Sequence, residues 1–137
     1  MGLSATRLQN RSAAAAYGRQ AGNVTPAKAV DALYTRLLAD MDAAKRAAEA
    51  PQPPGWREQV HNHLTHARDV LLGLRMVLDF EQGADVATAL EDAYAFCDQR
   101  LVAADMTKDT SLCEPAVTVV TGLQTAWRAA MQETGTL

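Results

Sequence analysis

Three histidines in the pattern H-x-H-x-x-H, His61, His63 and His66, are the residues whose type and spacing come nearest to metal chemistry. On a helix, positions 63 and 66 share a face, so two imidazoles could hold a metal there. His61 points elsewhere, no third ligand completes that face, and no Glu stands where HExxH needs it. Solvated or locally hydrogen-bonded histidines are expected, with no metal. Cys97 and Cys113 are 16 residues apart without C-x-x-C spacing, and Cys97 falls in an apolar helical row. Both read as reduced structural thiols.

The carboxylates are spread out, with Asp79, Glu81 and Asp85 near one turn and Glu91 and Asp92 beyond it. A di-iron bundle needs Glu-x-x-His on two helices and two more inward Glu, a set this chain does not supply. Asp85 reads instead as a cap or dipole partner for a helix start. Phosphate loop, nucleophile elbow and dinucleotide fingerprint are all missing. Neither catalysis nor a cofactor is expected.

The elements that carry these residues are helical. The chain has 137 residues, enough for one domain that folds without metal or disulfide. Hydrophobic residues make up 48% but aromatics only 5%, so the core must be built from Leu, Val, Met and Ala, which suits close helix packing. A net charge of -3 argues against nucleic acid, which needs a basic face. No run approaches the roughly 18 apolar residues of a membrane span, and Ala13 to Ala16 is too short for a signal-peptide core. Cytoplasmic residence is the expectation.

Four segments carry 3.6-residue periodicity. The first opens at Thr25-Pro26, a hydroxyl cap followed by proline at the first helical position, with the row Val30, Leu33, Tyr34, Leu37, Leu38, Met41, Ala44. It stops before Pro51-Gln52-Pro53-Pro54-Gly55. The second is expected from about Trp56 to Phe80, on Val60, Leu64, Ala67, Leu71, Leu74 and Leu78, with Gly83 as its stop. The third is expected from about Asp85 to Ala104, on Val86, Leu90, Ala93, Tyr94, Cys97 and Leu101. The fourth opens on Ser111-Leu112-Cys113-Glu114, a capping box with Pro115 in the first turn, and continues through Val119, Val120, Leu123, Ala126, Trp127 and Ala130. Four such helices on short loops imply an all-α, antiparallel up-down four-helix bundle over residues 25–137. Residues 1–24, with Arg7, Arg11 and Arg19, carry no sustained row and are expected to form a mobile arm with at most a short helix.

Some side chains look surplus to such a bundle. Tyr34 and Tyr94 carry hydroxyls that need water or a partner, Tyr17 lies in the arm, and Trp127 closes the far end of the last row. One reading is plain packing at the core edge. The other is a groove that accepts a partner helix through anchors at i, i+3, i+4 and i+7.

The order of residues adds to this. Ala16-Tyr17, Thr25-Pro26 followed by Leu33-Tyr34, and His66-Ala67-Arg68-Asp69-Val70-Leu71-Leu72-Gly73-Leu74 come first, then Leu78-Asp79-Phe80-Glu81-Gln82-Gly83. Val86-Ala87-Thr88-Ala89-Leu90, Ala93-Tyr94, Gln99-Arg100-Leu101 and Ala126-Trp127 complete the series. Over about residues 16 to 130 this resembles the flagellin-specific export chaperone family. The family's Gly-Gly turn is Gly83-Ala84 here, its Asn before Leu is Ala89, its Leu-Tyr is Ala93-Tyr94, and Asp105 replaces an Asn. The resemblance implies a four-helix bundle that binds the disordered C-terminal segment of flagellin, prevents premature polymerisation and delivers the subunit to the export apparatus. It also implies a groove at Leu33, Tyr34 and Leu37 on the first helix and Val86, Leu90, Tyr94 and Leu101 on the third, with Tyr17 in a displaceable arm. On the residues alone, a helical adaptor without a secretion role and a metal-bearing bundle remain open.

Overall fold

The computed structural model describes residues 26–79 and 83–135. Among these residues four helices follow one another: α1 (Pro26–Ala47), α2 (Trp56–Met76), α3 (Ala84–Thr107) and α4 (Glu114–Glu133). A 3-10 turn, Thr110–Cys113, leads into α4. The molecule is an all-α four-helix bundle. α1 packs on α2 and α4, and α3 packs on the same two, so the neighbours form a ring with α1 and α3 on one diagonal.

Chain direction can be read from the seams. Between α2 and α3, Arg75 bonds Glu91 (Nε to Oε1, 2.9 Å), Arg68 bonds Asp98 (2.8 Å) and His61 bonds Asp105 (2.8 Å). Seven-residue steps down α2 thus match seven-residue steps up α3, as two antiparallel helices with facing heptad positions require. Between α1 and α4, Arg128 Nε donates to Asp31 (2.7 Å) at one end, and Lys45 lies 3.6 Å from Glu114 at the other.

The core follows the expected rows over most of its length. Leu37, Met41 and Ala44 of α1 meet Val60, Leu64, Ala67, Leu71 and Leu74 of α2, with Cys97, Leu101 and Ala104 of α3 and Ala116 and Val120 of α4. Alanines at 44, 67, 104 and 116 are fully buried and let the backbones approach.

Four expectations need correction. α2 ends at Met76, not near Phe80: Leu78 still packs on the core, but from the segment after the helix, so its place in the row gave no sign of the stop. Gly83 does not end α2; it precedes α3 in ordinary extended backbone, and its carbonyl accepts Ala87 N–H at 2.8 Å. α3 runs on to Thr107 and closes on Lys108, a non-glycine left-handed residue (φ 57°) whose Nζ bonds Asp105 Oδ1 at 2.6 Å. At the start of α4, Asp109 takes over the role expected of Ser111. Its Oδ1 accepts from Ser111 N–H (3.1 Å) and Oγ (2.6 Å), which places Ser111 inside the 3-10 turn.

The expected row of α4 holds at Val119, Val120, Leu123 and Trp127, which meet the core, but not at its alanines. Ala116, Val120 and Gln124 are buried, whereas Ala126 and Ala130 are exposed. Gln124 tolerates burial because its Nε2 donates to Thr35 Oγ1 at 2.8 Å and reaches Asp31.

Candidate docking cleft

At one end of the bundle α1 and α3 begin while α2 and α4 finish, and there the side chains leave a cleft of about 410 Å³. Val30 and Tyr34 line it from α1, and Leu74 from α2 with Leu78 after it. Val86, Leu90 and Tyr94 of α3 and Trp127 of α4 close the other sides. Among the described residues, Asp79 is the one charged residue on its wall.

Floor and rim differ in exposure. Tyr34, Tyr94 and Leu74 are buried, at 1–2% exposure. Val30, Leu78, Leu90 and Trp127 are half-buried, and Val86 is 66% exposed. Trp127 is fixed by its indole N–H, which donates to Ala27 O (2.9 Å) in the first turn of α1. This apolar end is therefore held by a polar clamp of Trp127, Gln124 and Arg128 on the start of α1, the last two through Asp31.

The floor contains a polar pair. Tyr34 and Tyr94 meet across the α1–α3 diagonal with hydroxyl oxygens 2.6 Å apart and ring centroids at 6.5 Å. Either hydroxyl can donate. Burial pushes both phenols above their ordinary value; the mutual hydrogen bond raises Tyr94 further and pulls Tyr34 back in part. Both are neutral near pH 7.

Of the residues expected to bind a partner, Tyr34, Val86, Leu90 and Tyr94 come together here. Leu33 points instead into a separate furrow of about 770 Å³ between α1 and α2, beside Arg36, Ala39, His66 and Val70. Leu37 and Leu101 are fully buried and line neither hollow. Tyr17 and the rest of the arm lie outside the described residues. Val86 does not lie on the inward row of α3, since Ala87 takes the core position. The residues missing from the expected set, Val30, Leu78 and Trp127, are the terminal members of their helical rows.

The remaining chemistry-bearing residues are placed locally. His61 Nδ1 pairs with Asp105, and His66 Nδ1 pairs with Asp40 of α1 at 2.5 Å. Glu58 and His61, which have Glu-x-x-His spacing, are both exposed. Among the described residues no group of three or more His, Cys, Asp or Glu side chains could hold a metal ion. Cys97 and Cys113 are free, buried thiols, pushed up to about 11 chiefly by burial. Among the described residues, no helix is long and apolar enough to cross a membrane.

Comparison with known families identifies the chain's relatives. The family model described as Flagellar protein FliS matches residues 9–134, nearly the whole chain. No curated protein matches it.

Proposed function

The chain belongs to the flagellar protein FliS family, a family of flagellar export chaperones, and from that premise we propose that it holds the C-terminal segment of flagellin in the cytoplasm before export. The segment seats apolar side chains in the cleft at the end of the bundle. Held there, they are withdrawn from water and from other subunits, so polymerisation waits until delivery to the export apparatus. Each anchor buried contributes roughly 1.5–3 kcal/mol before ordering costs are subtracted. A disordered client folds as it binds, which keeps affinity moderate and release possible. The work is binding without catalysis. We propose further that Tyr17, outside the described residues, competes with the client for the cleft.

The observation that carries this reading is the half-covered apolar rim, with Val86 at 66% exposure beside half-buried Leu90 and Trp127. Calorimetry with a flagellin C-terminal peptide tests it. Val86→Asp should weaken binding at least about tenfold, because an anchor would then meet a charge. Its thermal stability should stay near that of the parent, since the side chain already faces water. Leu90→Asp should weaken binding further at some cost in stability. Unchanged affinity in both variants, each still helical, would leave the cleft without a role.

A further inference from the structure

A hydroxyl pair holds two protons but makes one hydrogen bond between its members. At 2.6 Å, Tyr34 and Tyr94 share one proton, and the accepting hydroxyl keeps its own. Among the described residues neither hydroxyl has another partner, and the open space that both side chains border is the cleft. A donor at the floor of an apolar hollow is costly to leave unmet and valuable to satisfy.

We infer that the Tyr34–Tyr94 pair donates one hydrogen bond into the cleft, and that the client segment meets it with a main-chain carbonyl oxygen. This rests on the cleft being the client site. The rim selects apolar side chains, and the acceptor that every apolar residue brings is its own carbonyl. A carbonyl inside a helix is already engaged with the N–H four residues on, while the last four of a helix and all those of an extended stretch are free. The stretch over the tyrosines is therefore a helix end or extended chain, not a helix middle. The pair thus adds a backbone test to the side-chain selection made by Val86, Leu90 and Trp127.

Phenylalanine variants separate this from a purely internal role, with thermal melting and calorimetry read on the same proteins. Tyr34→Phe or Tyr94→Phe leaves one buried hydroxyl that has lost its mate but can still donate to a client. Each single variant should melt lower yet bind the flagellin peptide within about twofold of the parent. The double variant Tyr34→Phe/Tyr94→Phe removes both polar groups with little change of shape, so it should regain stability while its affinity falls about three- to tenfold. A peptide whose polar side chains are replaced by alanine should show the same ratio between parent and double variant. If the double variant binds as the parent does while Leu90→Asp still weakens binding, the inference fails and the cleft survives. If neither change affects binding, both readings fall. A ratio lost with the alanine peptide would move the acceptor to a side chain and overturn the backbone reading. A double variant that stays as unstable as the singles also counts against it, because a stranded donor would not be what the singles suffered.

Discussion

At the scale of single residues, His61, His66 and Asp105, which could have done chemistry, are engaged in holding helices together. Asp105 is the clearest case. Burial by itself pushes its carboxyl up, but hydrogen bonds from Lys108 and His61, with their charges, outweigh this and hold it below the ordinary 3.8. A carboxyl depressed by folding stabilises the native state above its unfolded value, and that contribution is lost as pH falls through the lower folded one. Asp105→Asn should therefore melt below the parent at pH 7, and the gap should close as pH drops below about 4. Thermal melts from pH 7 to pH 2.5 would check this. A gap that stays constant across the range would mean that the variant loses shape or neutral hydrogen bonds, not a charge. The same carboxylate also joins α2 to the end of α3 through His61, so one substitution probes the seam and the left-handed stop at Lys108.

At the scale of elements, α4 depends on what precedes it. Asp109 gathers Ser111 N–H and Oγ into the 3-10 turn that aims Cys113 and then Ala116 at the core. Asp109→Ala should cost about 0.5–2 kcal/mol, the usual effect of losing such a cap, read by urea unfolding with an unchanged slope. Ser111→Ala should cost less, since Ser111 is the guest of the turn; the reverse order would restore the Ser111–Glu114 box. These details also mark how far the sequence could be read. Four helices and most of the core were legible because Leu64, Leu71, Leu101 and their neighbours recur with helical spacing, and burial enforces that spacing. The end of α2 was not, because Leu78 continues the row after the backbone has left the helix. The α4 row misleads only in part, for another reason: Ala126 and Ala130 count as apolar yet cost little when exposed, while Gln124 counts as polar yet is satisfied in the interior. A row tells which face turns inward but not where its cover stops. Hence the rows group Tyr34, Tyr94, Val86 and Leu90 with Leu37 and Leu101, which line no cleft, and do not mark Val30, whose half-exposure depends on where four helix ends meet.

At the scale of the whole molecule, charge and apolar surface are segregated. The α2–α3 seam carries two arginine–carboxylate ion pairs and the His61–Asp105 hydrogen bond, whereas α4 has a single ionisable side chain, Arg128, between Glu114 and Glu133. An apolar hollow at one end of such a bundle would attract any apolar chain, including other copies, unless something competes for it. The proposed competitor is the arm around Tyr17. A tethered competitor acts at an effective concentration near millimolar, so even weak contacts would keep the cleft mostly covered. Apparent affinity then falls by the fraction of time the cleft is open. Deleting residues 1–20 removes that competition while leaving every core residue among the described ones, from Tyr34 to Val120, in the chain. Helicity should persist, and affinity for the flagellin peptide should hold or tighten, by about tenfold if the arm covers the cleft nine-tenths of the time. Tightening should come mainly through faster association, because the departure of a bound client does not wait on the arm. A large loss of affinity in the truncated, still helical protein would make residues 1–20 part of the client's seat and not its cover. The fluorescence of Trp127 would follow the same events: it should change on deletion and change again when the peptide fills the space beside the indole.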